Sequence, residues 1–155
     1  MERRELIRWL VATAGVQSLK ALAPEDLLAL GRDVHRHLPA RRVNPTIALA
    51  AERILPGATD ANVGAFIDKM LTDWHTPEER ERLLTGLREL DSHGNFLDKS
   101  EVDQIAILTA LDESNADWFA RLKYLTIYGY CTSEVGMREL KLWPLPWRYD
   151  GCAPA

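Results

Sequence analysis

The sequence predicts an all-α protein, a compact bundle of about six or seven helices that ends in an extended proline- and aromatic-rich C-terminal tail. Three observations predict it. Apolar residues recur at helical spacing along most of the chain, and no stretch alternates with the two-residue period of a strand. Capping residues and N1 prolines stand ahead of the apolar runs. Finally, Trp143 to Tyr149 packs three aromatics and two prolines into one short stretch that no regular helix accommodates.

Two readings stand for residues 1–23. Leu6, Leu10 and Ala14, with Ile7 and Val11 beside them, suit a first helix. The alternative is an export signal: Arg3 and Arg4 form a twin-arginine pair, a short apolar segment follows, and Ala21-Leu22-Ala23 has the small-x-small cleavage pattern. Pro24 directly after that pattern disfavours cleavage.

Residues 24–142 read as the helical domain. Pro24 opens a helix with acids in its first turn and His and Arg in its last, as the helix dipole favours. Asn44-Pro45 caps and starts the next, and Pro56-Gly57 stops it. The stretch 60–75 places Val63, Phe66, Ile67, Met70, Leu71 and Trp74 on one face. Thr76-Pro77-Glu78-Glu79 is a capping box before Leu83, Leu84, Leu87 and Leu90. "DSHGN" at 91–95 breaks the chain, and Ser100 caps a helix carrying Ile105, Ile107, Leu108 and Leu111. Asn115 is expected to cap a helix striped by Trp118, Leu122, Leu125 and Tyr128, and Ser133 to cap one short turn before the tail, residues 143–155.

Composition narrows the function. At 155 residues the chain reads as one domain that buries roughly 70% of its unfolded surface without metal or disulfide staples. A net charge of −4 with no basic run excludes a nucleic-acid role, and no apolar stretch has the length for a stable membrane span. The stretch 91–102 fails as a calcium loop, because Gly94 is two positions early and Val102 replaces the bidentate glutamate. His35 and His37 are two apart and face different sides, as surface residues near a helix end. No glycine-rich phosphate loop or serine elbow is present. The residues therefore offer no catalytic set, no cofactor-binding set and no metal set.

Cys131 and Cys152 admit two readings: a pair joined by a disulfide in an exported protein, or two buried thiols. Eight of the twelve aromatics fall between Trp118 and Tyr149. The tail either folds back over its own bundle or lies on another protein. Trp, Tyr and Arg, the residues most enriched in binding hot spots, all occur in "WPLPWRY".

Three stretches carry a resemblance: "AERILPGATDANVGAFIDKML" at 51–71, "LTIYGYCTSEVGMREL" at 125–140 and "PWRYDGCAP" at 146–154. In their order and spacing the chain resembles the gluconate 2-dehydrogenase subunit 3 family, the small subunits of bacterial flavin-dependent sugar and polyol dehydrogenases. The resemblance implies a separate, larger GMC-type flavoprotein that holds FAD, with no cofactor in the small chain. It further implies that the small subunit stabilises the large one and in many systems carries the twin-arginine signal for both, with a cytochrome c subunit often taking the electrons. Tyr128, Tyr130, Trp143, Trp147, Arg148 and Tyr149 are then the expected partner interface. The location would be the periplasm if Arg3 and Arg4 direct export, and the cytoplasm if the N-terminus is only a helix. Two other classes stay open. One is a stand-alone enzyme using metal at His75, His93 and nearby acids. The other is a helical adaptor or chaperone without a flavoprotein partner.

Overall fold

The computed structural model of the chain describes residues 23–38, 43–92 and 94–141. Among them are seven α-helices and no strand: α1 (Pro24–Arg36), α2 (Pro45–Ile54), α3 (Val63–Asp73), α4 (Pro77–Ser92), α5 (Glu101–Glu113), α6 (Asp117–Thr132) and α7 (Glu134–Glu139). A 3₁₀ turn, Phe96–Asp98, links α4 to α5. The first-helix or signal segment at 1–22, His93 and the tail at 142–155 lie outside the described residues.

Local chemistry sets most of the helix starts. Pro24 and Pro45 occupy the first turn of their helices, where a missing N–H costs nothing. Asn44 Oδ1 accepts from the Thr46 amide at 2.9 Å. The Thr76–Glu79 box closes in both directions, Thr76 N to Glu79 Oε2 at 3.1 Å and Glu79 N to Thr76 Oγ1 at 3.3 Å. Ser100 and Ser133 accept from the amides of Asp103 and Gly136. One cap differs from expectation. Asn115 takes a left-handed φ of 54°, and α6 starts from Ala116 with no side-chain cap, because Asn115 serves to turn the chain out of α5. Trp74 also departs from the α3 core stripe: it sits just past the helix end and is 43% exposed.

The helices are arranged around α6, which packs against every other helix of the described residues. From Tyr124 through Thr132 each of its residues is buried, including Tyr124, Tyr128, Tyr130, Cys131 and the polar Thr126 and Thr132. A helix that is apolar on all sides belongs in the centre, and the aromatic excess on this segment is thereby used inside the bundle. The hydroxyls of Thr126 and Thr132 donate back to the carbonyls of Leu122 and Tyr128 at 2.8 Å, so neither enters the core unpaired.

Close approach at this centre relies on glycine. A β-carbon on Gly129 would fall 2.7 Å from the Phe66 ring, one on Gly31 2.5 Å from Thr132, and one on Gly86 2.1 Å from the Trp118 ring. Gly57 makes the turn after α2 with φ +92°. Glu52 clamps that turn, accepting from the amides of Gly57 at 2.9 Å and Thr59 at 2.7 Å.

Candidate functional site

Partial burial brings His35 out of its expected surface role. It leans across α1 onto Phe66 of α3, ring centroids 4.7 Å apart, and its Nε2–H donates to the Gly129 carbonyl at 2.6 Å. Phe66 in turn meets the Tyr128 ring edge-on at 5.4 Å, and Tyr128 stacks with Tyr124 at 5.9 Å. Burial lowers the His35 pKa below its ordinary 6.5, against the pull of the Gly129 carbonyl. The imidazole is thus a neutral hydrogen-bonding spacer between three helices. His37, by contrast, is exposed, as expected.

The placement of Tyr128 and Tyr130 changes their expected role at a partner surface. Tyr128 is 1% exposed and its hydroxyl donates to the Leu27 carbonyl at 2.6 Å, tying α6 to α1. Tyr130 is also buried, and its hydroxyl donates to Glu139 Oε2 at 2.5 Å, tying α6 to α7. Burial and the adjacent Glu139 carboxylate push its phenol up to about 12. Both rings and both hydroxyls are consumed within the bundle, which removes these two residues from the contact surface. Trp143, Trp147, Arg148 and Tyr149 lie outside the described residues. So does Cys152. Among the described residues Cys131 is a buried free thiol, and burial pushes it up to about 12, which disfavours the thiolate.

The metal-enzyme alternative turns on His75. Its Nδ1–H donates to the Met70 carbonyl at 2.9 Å, and its Nε2 is buried without a protein partner. Burial lowers its pKa, opposed by the Met70 carbonyl and reinforced by the Arg121 guanidinium. Arg121 pairs with Glu79 at 3.7 Å. The Arg121 cation and the Glu79 carboxylate beside His75 pull its pKa in opposite directions. Among the described residues no group of three or more His, Cys, Asp or Glu is placed to hold a metal ion, and His93 falls outside them. A pocket of about 220 Å³ lies between α2 and α4, lined by Asn44, Thr46, Leu84, Leu87, Arg88 and Asp91. It is smaller than the ~300 Å³ at which small-molecule sites begin. Asp91 is already engaged there, accepting from the Phe96 amide at 3.3 Å.

What the surface does present is an apolar face on α5. Leu108 is buried and Ile107 and Leu111 are half-buried on the inner side. Val102 is 77% and Ile105 45% exposed on the outer side. Ile105 is one of the four apolar residues that the sequence gives this helix, with Ile107, Leu108 and Leu111. The register of the helix turns it outward, since Gln104 and Leu108 take the buried positions.

The match to known families settles the grouping. Residues 43–151 match the family model described as gluconate 2-dehydrogenase subunit 3, well over half of the chain. The chain belongs to the gluconate 2-dehydrogenase subunit 3 family. In this subunit 3 chain the match runs from the approach to α2 into the tail, so it takes in α6 and the exposed face of α5, and it omits α1. Comparison of the subunit 3 chain with curated proteins and with solved structures returned no match. For a subunit 3 chain the feature to explain is a surface that joins a dehydrogenase complex. No helix among the described residues is long and apolar enough to cross a membrane.

Proposed function

We propose that this chain is the non-catalytic small subunit of a bacterial sugar or glucoside dehydrogenase, and that it binds and stabilises a larger FAD-containing catalytic subunit of GMC type. The family match over residues 43–151 carries the reading. The buried side chains support it. The imidazoles of His35 and His75 are held neutral by burial and the Cys131 thiol is protonated, so the described bundle spends its reactive groups on its own core. A flavin dinucleotide fold needs a strand running into a glycine-rich turn and a helix, and the described residues contain no strand. In this reading FAD is held by the partner.

Export follows as part of the same proposal. A flavoprotein that folds around FAD in the cytoplasm has to cross the membrane folded, and Arg3-Arg4 on the small chain would supply the twin-arginine signal for both subunits. The pair then works in the periplasm, where a cytochrome c subunit can take the electrons. Trp143, Trp147, Arg148 and Tyr149 are proposed to lie on the large subunit. Pro144 and Pro146 are residues that favour an extended path, which would let the aromatics dock at a low entropic cost.

The experiment is purification from the native host through an affinity tag inserted between Gly94 and Asn95, both exposed in the turn after α4. A stoichiometric larger protein with flavin absorbance and sugar-oxidising activity is the expected result. A colourless, folded monomer with no companion sinks the proposal and favours the adaptor or metal-enzyme classes.

A further inference from the structure

Two neighbouring helices treat solvent in opposite ways. On α4 the exposed positions include Glu78, Arg80, Glu81, Arg82, Thr85, Arg88, Glu89 and Asp91, a charged face suited to water. On α5 the stripe one turn apart along the outside is Val102, Ile105, Ala106 and Thr109, with no charge in it. The Thr109 hydroxyl is turned back onto the Ile105 carbonyl at 2.8 Å, so that polar atom is satisfied within the helix. Val102 and Ile105 are three apart and so lie about 5–6 Å from each other on one face. Leu97, 36% exposed, stands on the 3₁₀ turn that Gln104 fastens to the first turn of α5, its amide donating to the carbonyls of Phe96 at 3.1 Å and Lys99 at 2.9 Å. The patch is rigidly supported, since Gln104 also accepts from Arg53 Nε at 2.8 Å.

The rim of this patch is predominantly acidic. From Asp98 to Asp117 the chain carries six acids and a single base, Lys99. Glu101 is balanced by Arg53 at 3.4 Å and Asp112 by Lys123 at 2.8 Å, and with Lys99 set against Asp98, Asp103, Glu113 and Asp117 the rim keeps an excess of three negative charges. An uncharged centre with a charged edge is the anatomy of a protein interface, and its sign selects the partner. A second copy of this chain would bring the same acidic rim against it, a repulsive pairing.

We propose that the outer face of α5, Val102, Ile105, Ala106 and Thr109 with Leu97 at its end, docks the larger dehydrogenase subunit through an apolar patch rimmed by lysine and arginine on that subunit. The inference rests on the subunit reading above and names the surface through which it operates. The apolar centre holds the complex together. The acidic rim steers its formation, so association slows as salt rises.

The test uses the two-subunit complex recovered through a tag between Thr59 and Asp60, both exposed in the turn after α2, so that the tag does not sit beside Leu97. Val102→Arg/Ile105→Arg keeps a helix-compatible residue at each exposed position, and the isolated variant should retain the circular dichroism and melting temperature of the parent. In the complex it should retain less than about a tenth of the large subunit. Asp103→Asn/Glu113→Gln should leave the complex formed but flatten the salt dependence of its association rate. Trp74→Ala, at an exposed apolar residue on α3, should change neither. Carboxyl labelling of Asp98, Asp103 and Glu113 should fall in the complex relative to the free chain. Full recovery of the large subunit by the double arginine variant overturns the proposal while leaving the subunit reading intact. So does a parent chain that dimerises by itself and is dispersed by the same variant, or one in which deleting residues 142–155 is what unmasks those carboxylates. Recovery of no larger subunit by the parent chain takes down both readings together.

Discussion

At the scale of single residues, the centre of the bundle is intolerant of volume. Phe66 is held between the His35 ring on one side and the edge of Tyr128 on another, with no exposed surface of its own. A β-carbon on Gly129 therefore meets a ring that cannot retreat. Alanine gains about 1 kcal/mol of helix propensity over glycine, whereas overpacking a well-filled core costs about 1–3 kcal/mol. Gly129→Ala should lower stability by about 1 kcal/mol net and Gly129→Val by more, read from urea unfolding. The histidines give a second residue-scale prediction. The pKa values of His35 and His75 are lowered in the folded chain, so below the ordinary value of 6.5 the unfolded chain takes up protons that the folded chain refuses. Their contribution is fully present above pH 6.5 and is lost as pH falls toward the folded values. Although burial opposes it, Glu52 is held below its usual 4.5 by the Gly57 and Thr59 amides, and so acts only at lower pH. The unfolding midpoint should drop between pH 7.5 and about 5.5, and the drop should shrink in His35→Gln/His75→Gln.

At the scale of elements, ends were more legible than faces. Asn44, Thr76, Ser100 and Ser133 cap as the sequence predicts, because a cap is a local bond between residues two or three apart. Thr76→Ala breaks one arm of the box that starts α4 and should cost about 1 kcal/mol, seen as a lower urea midpoint with an unchanged slope. Faces are not local. Ile105 and Trp74 fit a helical stripe by spacing, yet the neighbours of α5 and α3 leave both outside. Asn115 has the right side chain for a cap but is spent on a left-handed turn. The role of His35 is not local either, since its bond to the Gly129 carbonyl joins residues 94 apart in the chain.

At the scale of the whole molecule, α6 decides the architecture. It is a segment with apolar or aromatic residues on every side, and the only way to bury all of them is to surround it. This explains why Tyr124, Tyr128 and Tyr130 are not surface aromatics, and it leaves the tail and α5 as the proposed sites of partner recognition. Replacing Trp143 and Trp147 by alanine should weaken recovery of the large subunit without changing the melting temperature of the isolated chain. An intact complex with both alanines would return the tail to this chain's own core. The melting temperature of the assembled complex should exceed that of the free chain, since a partner that binds only the folded state stabilises it by mass action.

The amino-acid sequence by itself determined the helical class, nearly all of the helix starts and the family, because periodicity, caps and the order of short motifs are carried by neighbouring residues. Tertiary structure alone decided which helix is central, which tyrosines are consumed by Leu27 and Glu139, and which face of α5 stays uncovered. Burial is a property of what packs against a residue from a distance along the chain. An apolar side chain at helical spacing looks the same in the sequence whether it faces the core or a partner.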